Sequence, residues 1–165
     1  MDTKNDFNAY DYFENLIGRN KLARQNKFKI SRITGIRGME EALFNLKKTN
    51  AFFCVDDTSD GVTLINGGSP FNRRVYLVFI CLRYKLNDMV SQHNALSVCR
   101  KLYRQILSKM LIDKDCLLNE FIYLNTDRIS FREFEQFLLN GCTGLYFTFD
   151  VDEPTDLTYE PDEWE

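Results

Sequence analysis

The stretch RRVYLVFICLRY, Arg73 to Tyr84, reads as a strand buried on both sides. Side chains alternate across a sheet, so Val75, Leu77, Phe79 and Cys81 fall on one face and Tyr76, Val78, Ile80 and Leu82 on the other. Both sets are apolar, which places this strand at the centre of a sheet with cover on each face. The run Val75 to Leu82 is far too short to span a bilayer.

Downstream of it, Asn87 or Asp88 caps the longest helix, which runs to about Ile112. Met89, Leu96, Cys99, Tyr103, Ile106 and Met110 form its apolar stripe, and Arg100, Lys101 and Arg104 lie opposite. Phe121 to Leu124 is a short strand. Ser130 and Glu133 make a capping-box pattern ahead of Phe134, Phe137 and Leu138, a short helix ended by Asn140-Gly141. Gly144 leads into a last strand, Leu145 to Val151, with Leu145, Phe147, Phe149 and Val151 inward.

Upstream, Ala51 to Val55 and Val62 to Ile65 read as a hairpin around Asp56–Gly61, and Asn66 to Pro70 breaks the chain again. Asp6 caps a first helix whose inner face is Phe7, Tyr10, Phe13 and Ile17, closed by Gly18. Phe28, Ile30 and Ile33 mark a short extended piece or a packed arm. Gly38 opens a helix with Met39, Leu43 and Leu46 on one face, and Glu40 and Glu41 in its first turn suit the helix dipole. The expected fold is α/β (α+β): one domain over residues 1–152, with a mixed, mostly antiparallel sheet of about four to five strands against a long helix and shorter ones.

Composition agrees with a single globular domain: 165 residues, 44% hydrophobic and 27% charged. The polar segment Met1 to Asn8 is not a signal peptide. Cys54, Cys81, Cys99, Cys116 and Cys142 are odd in number and widely spaced, and they read as reduced core residues.

Little here points to a reaction. His93 is the one histidine, with no second for a metal pair and no nucleophile context nearby. Asp56, Thr58, Asp60 and Gly61 match the start of a calcium loop, but its twelfth place is Gly67 and a turn explains the same residues. Gly35-Ile36-Arg37-Gly38 has the spacing of an RNA-clamping loop, yet it reads more simply as a joint and helix start. No enzyme activity, cofactor or metal is expected.

The charge distribution is more informative. Net charge is only −3, yet Arg19, Lys21, Arg24, Lys27, Lys29, Arg32 and Arg37 follow one another with no acid between them. Asp150 to Glu165 carries eight acids and no base. The segment 153–165 is an acidic tail that either stays free, as acidic tails usually do, or, since it interleaves Asp156 with Leu157, Tyr159 and Trp164, docks in extended form on a basic surface with apolar pockets. Arg73-Arg74 is either a solvated pair or an anchor for a partner's carboxylates. The candidate interface is therefore Arg19, Arg24, Lys27, Arg32, Arg73, Arg74, Asp156, Leu157, Tyr159 and Trp164.

The element order, the Arg73–Ile80 strand, the long helix after it and the closing GLYFTFDV strand (Gly144 to Val151) resemble bacteriophage tail terminators and the tail-completion proteins of the head–tail joint. The parallel covers about Phe7 to Val151, and the basic arm 19–37 and the acidic tail depart from it. The resemblance implies a homo-oligomeric ring, usually hexameric, that meets other tail or neck proteins in the virion after assembly in the host cytoplasm. It implies no catalysis, cofactor or membrane partner. A nucleic-acid-binding or regulatory interaction module using the basic arm is the alternative, less favoured because the net charge is negative.

Overall fold

The computed structural model describes residues 6–45, 48–65, 68–137 and 141–164, without the side chains of Ile36, Gln136 and Phe137. In chain order the elements are α1 (Ala9–Arg19), α2 (Lys21–Gln25), β1 (Lys29–Ile33), α3 (Gly35–Asn45), β2 (Ala51–Asp56), β3 (Asp60–Leu64), β4 (Phe71–Arg83), α4 (Met89–Leu118), β5 (Tyr123–Phe137), β6 (Cys142–Pro154) and a short 3-10 turn, Pro161–Glu163.

β4 is the central strand of a six-stranded sheet ordered β1-β2-β4-β6-β5, with β3 also on β4. Its two faces divide as the alternation requires. Tyr76, Val78 and Ile80 join α1, α4 and β6 in one core, built around Phe13, Phe53, Leu102, Ile106, Phe147 and Phe149. Phe79 and Cys81 join Ile33, Met39, Leu43, Phe52, Cys54 and Cys142 in a second core under α3. Only β1 and β2 run parallel; the other pairs are antiparallel. The fold is thus a mixed, mostly antiparallel sheet covered by one long helix and shorter ones, with one strand more than the sequence implied.

Several local expectations are corrected. β2 and β3 do not form a hairpin. Val55 pairs with Val78 and Asp60 with Val75, so β3 continues in the direction of β2 along the same edge of β4. β3 pairs instead with the start of β4, antiparallel, with Leu64 opposite Phe71. Asp56 sits where the chain jogs: its Oδ1 accepts from Gly35 N–H (3.1 Å), Thr58 N–H (2.9 Å) and Thr58 Oγ1 (2.7 Å). The acid of the calcium-like pattern is spent on tying this jog to the start of α3, and the G-x-x-G glycine Gly35 already lies inside that helix.

The expected helix after Ser130 is instead the second half of β5, where Ser130 to Phe134 pair with Thr148 to Gly144 of β6. That strand begins at Tyr123 and absorbs the short one read at 121–124. Asp6 does not cap α1; Asn8 does, accepting from Asp11 N–H, and α1 passes Gly18 to end at Arg19. α3 starts at Gly35 rather than Gly38, and α4 continues past Ile112 to Leu118. Asp88 caps α4, while Met89, assigned to its apolar stripe, is 84% exposed. Leu46, Gly67, Leu138 and Asn140 lie outside the described residues.

Candidate self-association surface

The basic stretch is not a loose arm. It is the end of α1, all of α2, the strand β1 and the start of α3. Asn20 makes the corner between the two helices. It caps α2 by accepting from Ala23 N–H (2.8 Å) and donates to Gln105 Oε1 of α4 (3.0 Å). Lys27 then turns the chain in the left-handed region (φ 56°), so that Phe28 N–H reaches back to Ala23 O (2.9 Å). Phe28 and Ala23 are buried, which fixes the corner to the main core.

This packing holds the cations outward. Arg19, Lys21, Arg24, Lys27, Lys29, Arg32 and Arg37 are all exposed. Arg32 is engaged: its Nε lies 3.3 Å from Asp57, its Nη2 3.9 Å from Asp11, and its guanidinium 4.5 Å above the Tyr10 ring. Among the described residues, the other six make no ion pair. The result is a basic edge built on a rigid frame.

Arg73 and Arg74 lie elsewhere and are both occupied. Arg73 grips Asp152 of the adjacent strand through two bonds of 2.7 Å, Nε to Oδ1 and Nη2 to Oδ2. Arg74 Nη2 donates to Asp6 Oδ2 at 3.2 Å. The structure therefore separates this pair from the α2–β1 edge and gives each arginine a carboxylate of its own chain. Sequence spacing carried no sign of either partner, because register alone decides which acid of β6 faces Arg73.

The acidic tail leaves the sheet at Pro154, where Thr155 N–H still donates to Pro70 O (3.0 Å). Beyond that point, among the described residues, no hydrogen bond, ion pair or ring contact ties it to the body. Leu157, Tyr159 and Trp164 are 53, 66 and 67% exposed. Tyr159 and Trp164 stack on each other at 6.1 Å, and Asp156 accepts from Thr158 N–H (2.9 Å). The Thr158 hydroxyl and then this N–H together hold the Asp156 carboxyl below its usual range.

At the base of the tail a buried acid fastens the N-terminal segment. Glu153 accepts from Phe7 N–H, and Tyr76 O–H donates to Phe7 O (3.1 Å). Burial pushes the Glu153 carboxyl up, against the opposing pull of the Phe7 N–H and Arg74. A raised folded-state pKa means that the native state holds the proton more tightly. Its contribution is complete below the unfolded value and is lost as pH rises through the folded one. Glu153→Gln keeps an oxygen acceptor and removes the titration. Between about pH 4 and pH 7 the wild-type thermal midpoint should therefore fall relative to this variant. Parallel midpoints across that range would contradict the assignment.

The remaining chemistry-bearing groups stand apart from this surface. His93 lines an open cleft of about 540 Å³ between α4 and β5, beside Glu133 and Glu135. Glu133 is committed to Arg100 through two 2.7 Å bonds, which hold its carboxyl below the usual range. Cys54, Cys81, Cys99 and Cys142 are buried and Cys116 is exposed. Burial pushes the Cys54 and Cys99 thiols up to about 12, which suits packing rather than nucleophilic use. Among the described residues no cluster of His, Cys, Asp and Glu could hold a metal, and no helix is long and apolar enough to cross a membrane.

Comparison with protein-family models found no match, and comparison with curated proteins found none either.

Proposed function

We propose that the protein is a structural assembly subunit that forms a homo-oligomeric ring, of the phage tail-terminator or head–tail neck type. One observation carries the reading: two complementary surfaces, each left without a partner inside the chain. Beyond Thr155 the tail holds Leu157, Tyr159 and Trp164 and the acids Asp156, Glu160, Asp162 and Glu163 out in solvent, while on the α2–β1 edge Lys21, Arg24, Lys27 and Lys29 make no ion pair among the described residues. A ring needs a heterologous interface, in which one surface meets a different surface on the next copy. The phage assignment rests on the resemblance in element order and on this pair of surfaces.

Light scattering against salt tests it. At about 0.05 M salt the mass should be that of several copies, and it should fall toward one copy near about 1 M, where the screening length is about 3 Å. Negative-stain images of the low-salt species should show closed rings. A monomer at low salt would sink the proposal, and open filaments would sink the ring. The same cations could instead meet phosphates. In that case removing the tail would raise DNA affinity with a steep salt dependence and leave the mass unchanged.

A further inference from the structure

Building on that assembly reading, we propose how the two surfaces meet: residues 155–160 of one copy add as a strand to the outer edge of β1 in the next copy. The argument starts at β1. It is the last strand of the sheet and pairs only with β2. Ile33 O accepts from Asp57 N–H on the β2 side (2.8 Å). In a parallel ladder the N–H and C=O of one residue point the same way and alternate along the strand. Lys29, Ser31 and Ile33 thus face β2 with their backbone groups, and Ile30 and Arg32 present theirs to solvent. An exposed edge of this kind is a template for another strand.

Its side chains select the strand. A second β1 edge is repelled, because Lys27, Lys29 and Arg32 would face their own kind. An acidic strand is attracted. The tail sequence TDLTYE, Thr155 to Glu160, alternates as a strand does, with Leu157 and Tyr159 on one side and Asp156, Thr158 and Glu160 on the other. Pro154 and Pro161 bound it to six residues, against five in β1. Tyr10, Leu22 and Ile30 are only half-buried beside that edge, on the face of the main core. Leu157 and Tyr159 can complete their cover while Asp156 and Glu160 lie on the side of Lys29. The local bond from Thr158 N–H to Asp156 opens as the strand forms.

The other open edges fit less well. β3 carries Asp60 and no cation, and so offers the acidic tail no attraction. β5 is broken by a register shift between Asn125 and Ser130, which spoils a template. The donor must also come from another molecule. β1 lies three places from β6 in the sheet, about 14 Å at ordinary strand spacing, whereas the two residues from Thr155 to Leu157 span about 7 Å. Donor and acceptor are different surfaces, so each copy gives one strand and receives one.

Amide exchange of the full chain and of a chain ended after Pro154 separates this from the broader reading. The truncated chain keeps both cores, because no described residue beyond Val151 belongs to either of them. In the full-chain oligomer the Ile30 and Arg32 amides should exchange at least about tenfold more slowly than in the truncated chain, with the buried β4 amides unchanged. A Lys27→Glu, Lys29→Glu full chain can donate but not accept, and the truncated chain can accept but not donate. Mixed, they should form a one-to-one complex, while each alone stays monomeric. An oligomer whose Ile30 and Arg32 amides exchange at the same rate in both chains overturns the strand addition and leaves the assembly reading intact. A full chain that is monomeric throughout overturns both. DNA binding gained on truncation, without a change of mass, overturns the docking partner.

Discussion

Replacing Gly144 with alanine is expected to lower the urea midpoint by about 1–2 M, at an unchanged slope, which corresponds to a loss of at least about 3 kcal/mol. Gly144 sits inside β6, paired with Cys81 on one side and Phe134 on the other. A Cβ at this position would lie 1.9 Å from Ile80 O, 2.9 Å from Ile80 C and 3.0 Å from Cys81 Cα. These are backbone atoms of the central strand, so no side chain can swing aside to make room. The ladder between β4 and β6 must open instead. That ladder joins Phe71–Arg83 to Cys142–Pro154 without interruption and underlies both cores. Against a total stability of about 5–15 kcal/mol, the loss is a large fraction of the whole. An alanine variant with the wild-type midpoint would show that the two strands have slack at this crossing.

Phe13→Ala should be the costliest truncation in α1, at about 3–5 kcal/mol, lowering the thermal midpoint by roughly 10 °C or more. Phe13 is fully buried and makes edge-on contacts with Phe147 (6.1 Å, 80°) and Phe149 (5.6 Å, 76°), and a tilted one with Phe53 (5.4 Å, 46°). It is the knob that seats α1 on β2 and β6 at once. The functional consequence follows from where α1 leads. Asn20 and α2 hang from its end, so loosening α1 lets α2 and its cations drift relative to β1. The variant should therefore lose oligomer at protein concentrations where the wild type keeps it. A Phe13→Leu variant, which refills most of the volume, should recover most of both. Oligomerisation that survives Phe13→Ala undiminished would mean that the basic edge does not depend on α1 for its placement.

The sheet's centre was legible because burial on both faces leaves an unbroken apolar run with its own alternation, as in Val75 to Leu82. Leu145 to Val151 and α4 were legible for a different reason, a one-sided apolar pattern at the strand or helix period. What misled was local chemistry overruled by pairing. Ser130 and Glu133 have the spacing of a helix start, yet a neighbouring strand as apolar as β6 offers Phe131 and Phe134 backbone partners that a short helix cannot match. The Asp56–Gly61 segment has the residues of a hairpin turn. Its actual role, a jog within one edge, depends on β4 being long enough to carry both β2 and β3. At the candidate surface the charges were readable and their support was not. Nothing in the spacing shows that Arg73 and Arg74 are matched by Asp152 and Asp6, or that β1 has an empty side.

The order of the strands also sets a schedule for biosynthesis. β4 is complete at Arg83, but its main partner β6 begins only at Cys142. A ribosome adding about 5–20 residues per second needs several seconds to cover that gap. Throughout it, the apolar run Val75 to Leu82 has one side of its backbone unmatched, and the α4 cover is complete only once Leu118 is added. The nascent chain is then at its most adhesive, and holding factors at the exit tunnel would matter more for this fold than its modest size implies.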